Sequence, residues 1–439
     1  MQILNMHLSG LAYTCVGLLV SLPVANGYSR PAVTPYPKTP SIPLPVSPPR
    51  DANRTCTIAT GLKDAGPAIL EAAKKCNNGG TVVFPAGSTY TVATALDLTF
   101  LSSIDFAILG TVAFKDDLNY WQANSFKYSY QDTSFFWRFG GTDVNIFGGG
   151  TGTIDGLGNT WWTAWAANNS IARPILFGLD GLHGGTISGL KMKNPPNWFN
   201  LFANSTDIIT SDMNLSAASA NTSVSVKNSD GWDTYRSSNI VIQNSVIVNT
   251  DDCVSFKPNS TEILVQGLTC TGSHGISVGS LGQYQGEKDI VENIYIYNIS
   301  MTNASDAARI KVWPGVAPGT TGSSAGGGTG YVRNVTYDKY YSKNNDQVIT
   351  LTQCYFATSQ DACNKYPAEL VIEDVLFKEF TGTSSKKYDP RAGSLVCSST
   401  DVCKNIAAKD IRVAVPSGKN ATYTCTNMET SILELNCTS

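Results

Sequence analysis

Residues 240–248 read IVIQNSVIV, apolar except at Gln243, Asn244 and Ser245. A sandwich strand mostly alternates apolar and polar residues, because one of its faces meets water. Near-continuous apolar content suits parallel strands buried along a wall. The phrase that opens this stretch, a polar residue followed by aliphatic or β-branched ones, recurs along the chain. It stands at Asp207-Ile208-Ile209, Asn239-Ile240-Val241, Glu262-Ile263-Leu264, Asn293-Ile294-Tyr295 and Asn334-Val335-Thr336. The leading aliphatics Ile208, Ile240, Ile263, Ile294 and Val335 are spaced 32, 23, 31 and 41 residues apart. Such steps have the size of one supersecondary repeat. The longest contains GTTGSSAGGGTG (319–330), a loop insertion that lengthens one coil without disturbing a stack. A β-sandwich also offers many short strands with turn signals, but the buried-wall pattern favours an all-β, single-domain parallel β-helix.

Outward from this core, the chain of 439 residues divides unevenly. Residues 1–27 read as a secretion signal. An apolar run covers Val16 to Val24, and Ala25-Asn26-Gly27 supplies small residues at cleavage-site spacing. No Lys or Arg precedes the run, which departs from the usual pattern. Residues 28–50 are dense in proline, from Pro31 to Pro49, and form an extended N-terminal tail or linker. The catalytic domain is expected over 51–439, with folded sequence from about Cys56. Within GLKDAGPAILEAAKKC (61–76) the apolar spacing predicts one short amphipathic helix that caps the open end of the β structure.

Removing Cys15 with the signal leaves ten of the 11 cysteines, an even number. Proximity in sequence predicts local bridges Cys253–Cys270, Cys354–Cys363, Cys397–Cys403 and Cys425–Cys437, leaving Cys56 with Cys76. Sequons such as those at Asn168, Asn214 and Asn334 predict N-glycosylation in an exported chain. The net charge of −3 gives no reason to expect nucleic acid. No later stretch is apolar enough to suggest a membrane span. A secreted, extracellular monomer is expected.

The chemistry concentrates in residues 228–280. Asp230, Asp252 and His274 are each separated by 22 residues, with Asp251 one position earlier. If one coil takes about 22 residues, these side chains share one angular position on successive coils about 4.8 Å apart. Crowded carboxylates cannot all ionise freely, so at least one pKa should rise. A protonated acid beside an ionised base is what glycosidic hydrolysis requires. Arg309 and Lys311 alternate with Ile310 and would point to one face, a seat for a sugar carboxylate. Singly, each of these residues reads more simply as a turn former, a structural histidine or a solvated edge; their shared spacing argues for a site. Clustered carboxylates also suit calcium, but the adjacent cations argue against a metal, and no cofactor is expected.

Four motifs in order resemble the polygalacturonases of glycoside hydrolase family 28: Asn228-Ser229-Asp230, Asp251-Asp252-Cys253, His274-Gly275 and Arg309-Ile310-Lys311. Ser229 stands where the family usually has Thr. The resemblance spans roughly residues 55–437 and implies a right-handed parallel β-helix and a single-displacement, inverting hydrolysis of pectic galacturonan without metal. It casts Asp251 as general acid. Asp230 and Asp252 hold and deprotonate the attacking water, with Asn228 shaping that site. His274 tunes the acid, and Arg309 and Lys311 bind the galacturonate carboxylate. The family's active-site Tyr is sought in NNDQVITLTQCY (344–355), where Asp346 or Gln347 stands at the expected place. GWDTYRS, SVGSLGQY and RIKVWPG resemble the exo-acting fungal branch. The segments KYSYQDTSFFWRFGG (127–141) and 319–330 are expected to wall off one end of the groove. Rhamnogalacturonan galacturonohydrolase, xylogalacturonan hydrolase and endo-polygalacturonase are sister readings. A pectate lyase and a non-catalytic glycan-binding β-helix are readings of other classes.

Overall fold

The structure is a computed structural model that describes residues 28–37 and 39–438. The region read as a secretion signal lies outside the described residues. Among the described residues, 28 strands join side by side in parallel register and form one right-handed parallel β-helix.

The recurring phrase of the sequence is the corner of each coil. Ile208, Ile240, Ile263, Ile294 and Val335 pair in direct register, and the column continues through Val375 and Ile406. All are buried. The polar residues before them, Asp207, Asn239, Glu262, Asn293 and Asn334, all have φ between 53° and 62°. Asn and Asp tolerate this left-handed conformation better than other non-glycine residues, and it swings the chain from one wall into the next. Their side chains also meet: Asn239 donates to Asp207, Asn293 to Glu262 at 2.5 Å, and Asn334 to Asn293 at 2.6 Å. Unequal steps between corners therefore reflect loops thrown outward, not slippage of the stack.

The core is a continuous apolar column. Phe106 meets Phe139 edge to face, Tyr337 stacks on Phe377 at 5.1 Å, and Tyr340 stacks on Phe380 at 4.6 Å. Each such side chain contributes on the order of 1.5–3 kcal/mol by leaving water. The predicted cap helix runs over Gly66–Cys76, five residues shorter than the stretch that predicted it. Pro67 sits in its first turn, where no backbone N–H is needed, and Asp64 accepts from Gly66 N at 2.9 Å. Ile69, Ala73 and Cys76 are buried against the first coil. Three further helices, Leu118–Asn124, Gly158–Ala167 and Gln360–Lys365, sit in excursions between strands. No described helix is long and apolar enough to cross a membrane. The five bridges pair as sequence proximity predicts.

The proline-rich segment is extended, as its composition requires, but it is no free tail. It runs down the outside of one wall as a strap. Val33, Ile42 and Leu44 cover Ile209, Val241 and Leu264, the outward-facing members of the strands. This explains why the first half of IVIQNSVIV is apolar on both faces: Ile240 and Ile242 fill the core while Val241 lies under the strap, whereas in the second half Ile247 is buried and Val246 and Val248 are exposed. Thr34 N donates to Gln243 Oε1 at 3.0 Å, and Gln243 and Gln266 donate back to Ala32 O and Thr34 O. Tyr28 stacks on Phe147, with ring centroids 3.5 Å apart. The segment then doubles back, so that Arg30 donates to Ser47 O at 2.8 Å and Arg50, 5% exposed, binds Asp105 at 2.8 Å and Asp143 at 2.7 Å beside the start of the strap.

Replacing Arg50 leaves the largely buried Asp143 without its cation and Asp105 with Arg30 alone, at 3.6 Å. Arg50→Ala is expected to cost about 3 kcal/mol, the lower end for breaking a buried pair because both partners keep some exposure. Urea unfolding at constant pH checks this. A loss below about 1 kcal/mol would place the pair among ordinary surface bridges.

Candidate active site

The wall that precedes the strapped one in each coil carries the predicted residues. Trp232, Val254, Ile276 and Ala308 pair in direct register on four successive coils. Two positions before them stand Asp230, Asp252, His274 and Asp306. The 22-residue spacing is thus one coil, and the column predicted from sequence is real. Where these strands run on, side chains alternate inward and outward. Ser255 and Ser277 line up with Asp233 before them and Arg309 after them.

The turns that present the carboxylates are sewn together by neutral groups. Asn249 Nδ2 donates to Ser229 O, Asp251 O and Asp252 O at 2.8–3.0 Å. Ser273 Oγ donates to Asp251 O at 2.8 Å. Thr250 N donates to Ser229 Oγ at 2.9 Å, so serine still supplies the hydroxyl that this position uses. The Cys253–Cys270 bridge ties the next residue to the strand Thr269–Thr271 later in the same coil.

Asp252, 1% exposed in its side chain, is held on both oxygens. Oδ1 accepts from Ser277 Oγ at 2.8 Å and Arg309 Nη2 at 2.5 Å, and Oδ2 accepts from Lys311 Nζ at 2.7 Å. Burial pushes its carboxyl up, but the charges of Arg309 and Lys311 prevail and hold it far below the usual range. Arg309 and Lys311 therefore share one face as predicted, and their first partner is a catalytic-motif carboxylate. Arg309 also reaches Asp306 at 3.4 Å.

Asp251 is the outermost of the three, 19% exposed, and pairs with His274 Nδ1 at 3.0 Å. Burial raises its carboxyl most, yet the hydrogen bond from His274 and the charges of His274 and Lys311 together lower it overall. Asn228, in a left-handed conformation, turns its Nδ2 to Asp251 Oδ2 at 3.5 Å and accepts from Arg173 at 2.6 Å on Oδ1. Asp230 behaves oppositely. Burial, then the charges of Asp251 and Asp233, raise it well above the usual range. This is the raised carboxyl that crowding predicts. Its Oδ1 accepts no hydrogen bond from the described residues. Asp251, Asp252 and His274 lie within 4.8 Å of one another, close enough to suggest a metal site. Arg309, Ser277 and Lys311 already occupy the Asp252 oxygens that such an ion would need.

Reading the sequence missed several neighbours. Lys257 reaches Asp233 at 3.2 Å and Asp230 at 3.8 Å. Asp233 has been pushed up to about 7, first by burial. The aromatic next to the cations is Tyr355, with Lys311 5.7 Å from its ring centroid. It lies nine residues beyond Asp346, which instead pairs with Lys387 at the surface. Gln347 faces Ser394. Alternation would have pointed to Asp233 and Lys257, since both project outward from strands already assigned; Tyr355 follows a turn and has no periodic signal.

The groove is asymmetric about this cluster. On the N-terminal side, the hairpin Phe126–Tyr128/Thr133–Phe135 lies over the wall. Tyr130 at its tip stacks on Tyr235 at 4.1 Å and packs with Leu201, Ala203 and Trp198. Gln131 Nε2 donates to Gln283 Oε1 at 3.4 Å, and Gln285 N donates to Ser323 O of the Gly-rich loop at 2.9 Å. The two expected insertions thus meet through the 282–288 loop and cover that end. On the other side Trp313, Tyr355 and Phe356 form an aromatic cluster, and Phe356 is 73% exposed.

The model of glycosyl hydrolases family 28 matches residues 76–437. Exopolygalacturonase A of Aspergillus niger is 58% identical over 424 residues, 95% of this chain and 98% of that protein. Exopolygalacturonase X-1 of Emericella nidulans is 52% identical over 99% of this chain and all of its own length. Among solved structures, endo-xylogalacturonan hydrolase from Aspergillus tubingensis superposes with a TM-score of 0.78 at 36% identity, covering 88% of this chain and 99% of that one. With a family match over most of its length and a carboxylate cluster in the coil register that its motifs require, the chain belongs to glycosyl hydrolase family 28 and is a glycoside hydrolase.

Proposed function

We propose that this enzyme is a secreted exo-polygalacturonase that removes single galacturonate units from the non-reducing ends of pectic homogalacturonan, with inversion. The observation that carries the reading is the covered groove on the Asp230 side of the cluster, beside cations and an open aromatic face on the other. A polymer can enter such a site only by its end. The names of the similar Aspergillus and Emericella proteins support the exo reading. The leader sequence and the five bridges fit an oxidising, extracellular setting.

In this reading Asp251 donates the proton to the glycosidic oxygen, because it is the most exposed of the motif carboxylates and has His274 beside it at 3.0 Å. Asp252 is a weak base, since its anion is so heavily stabilised; it orients the water. Asp230 has the raised pKa and a free oxygen, and it takes the water's proton. Asp251 and Asp252 stand closer than the roughly 6.5–9.5 Å common among inverting glycosidases. Engagement of both Asp252 oxygens argues against attack by that residue and in favour of single displacement. The remaining donors of Arg309 and Lys311 receive the carboxylate of the sugar beyond the scissile bond.

The likeness to a xylogalacturonan hydrolase supports a second reading, in which the sugar beside the cut carries xylose. A preference for xylogalacturonan over polygalacturonate would establish it.

Product analysis on polygalacturonate should show galacturonate as the sole early product, released as the β-anomer, with slow loss of viscosity. Early oligomers would overturn the exo reading, and an α-anomer the inverting one. Replacing Tyr128–Thr133 by a short Gly-Ser turn should uncover the groove and add oligomers to the products.

Asp251→Asn should lower kcat by about 10²–10⁴-fold, the usual range for a proton-transfer group. For pH, the active form needs Asp230 ionised and Asp251 protonated. Because Asp251 is lowered and Asp230 raised, this form is a minor one: its amount rises as pH passes the lower pKa, that of Asp251, and is then steady up to the raised pKa of Asp230. The falling limb therefore lies at Asp230, and activity is already maximal in the acidic range. A maximum above neutrality would overturn these assignments.

A further inference from the structure

One buried cation of the site has no part in the assignments above. Lys257 follows Phe256, the last residue of the strand Val254–Phe256, and donates its N–H to Thr234 O at 2.9 Å. Alternation turns its side chain outward, into the groove rather than the core. It is nevertheless only 6% exposed. The arm lies against Trp198, with Nζ 5.2 Å from the ring centroid. Tyr130, stacked on the neighbouring Tyr235, roofs the same patch. An ammonium in this position has been taken from water and needs anions to hold it. Those anions are Asp233 at 3.2 Å and Asp230 at 3.8 Å.

The other cations are committed elsewhere. Arg309 and Lys311 bind Asp252. Arg173 gives its donors to Pro196 O, Lys227 O and Asn228 Oδ1, and no carboxylate of the described residues lies within ion-pair distance of it. Lys257 is thus the one cation among the described residues within 4.0 Å of Asp230. Asp230 also feels Asp233, Asp251 and Asp252, and Lys257 also feels Asp252 and the Tyr130 hydroxyl. Three anions crowd Asp230, and one ammonium opposes them directly.

We propose that Lys257 is a positioning residue for the hydrolysis: its ammonium, held between Asp233 and Asp230 beneath the hairpin, keeps Asp230 in the ionised form that takes a proton from the attacking water. The inference rests on the role given to Asp230 above and deepens it. Burial disfavours the ammonium, but Asp233 and Asp230 together raise it, so it stays charged throughout the working range. Asp233 acts in opposition, since its own ionisation makes that of Asp230 harder. The pair therefore sets the alkaline limb of the rate profile from opposite sides.

The test compares kcat, KM and the pH profile of kcat for Lys257→Met, Lys257→Arg, Asp233→Asn and the double variant Asp233→Asn/Lys257→Met, each relative to wild type on the same galacturonan. Lys257→Met should lower kcat by about 100-fold, within the range for disabling a proton-transfer group, with little change in KM. Its alkaline limb, set by Asp230, should move to higher pH, and Lys257→Arg should reverse most of that shift. Asp233→Asn should move the limb to lower pH. The double variant should regain at least about tenfold over Lys257→Met, because opposite charges next to Asp230 leave together.

A Lys257→Met enzyme with wild-type kcat and an unmoved limb would overturn the proposal. So would a change in KM alone that the double variant does not relieve, which would make Lys257 a sugar contact. Should Lys257→Met fail to fold, the charge-balanced double variant carries the test: a folded but inactive protein overturns the proposal. Wild-type products decide the substrate reading separately, because every comparison here is a ratio on whichever galacturonan the enzyme cuts.

Discussion

Direct register between parallel coils is the constraint on which this protein depends. Each coil sits about 4.8 Å above the last, so residues at equivalent positions form columns whether or not they are compatible. Aliphatic columns are favourable everywhere. An Asn or Asp column at the corners is favourable because the left-handed turn and the side-chain ladder want the same residue type. A column of carboxylates is not favourable. Asp230 and Asp252 lie one coil apart, with Asp251 beside them and His274 on the coil after. The fold offers no way to separate them except through counter-charges on neighbouring columns.

The counter-charges sort the carboxylates by function. Arg309 and Lys311 share one strand on a later coil, so Asp252 receives both and becomes a permanent anion. Asp230, nearer the covered end, has a single, longer contact and keeps a high affinity for its proton. Two residues of the same type, 22 positions apart in sequence, thereby acquire opposite acid–base character from their place in the stack. Separating acid from base by environment is the general device by which carboxylates do hydrolytic work.

Much of this was legible in the sequence because a β-helix writes its geometry as spacing. The corner phrases, the 22-residue interval, the Arg-x-Lys pair and the local cysteine pairs each translate directly into neighbours. What escaped had a different physical origin. The strap looked like a linker because proline excludes it from hydrogen-bonded sheet; its side-chain packing leaves no periodic trace. The apolar outer residues Ile209, Val241 and Leu264 were the available clue that something covers that wall. Tyr355 follows a turn, so counting along a strand stops at Asp346 and Gln347 instead. Lys257 and Asp233 were hidden by ordinariness, since an outward Lys next to an outward Asp is what any solvated face contains. Their burial is imposed by the hairpin, from a segment about a hundred residues earlier.

That hairpin joins two properties usually considered apart. By covering the groove it leaves room for a chain end only, which limits the size of the product. By the same contact it removes water from Tyr235, Lys257 and Asp233, and desolvation is the leading cause of the raised pKa of both Asp230 and Asp233. An open groove over the same four motifs would hydrate this face and let Asp230 fall towards an ordinary carboxylate, with no need of a buried cation. End-wise cutting and a strongly basic Asp230 are therefore not independent acquisitions. Closing the groove creates an electrostatic cost at the base, and Lys257 is the residue placed to offset it.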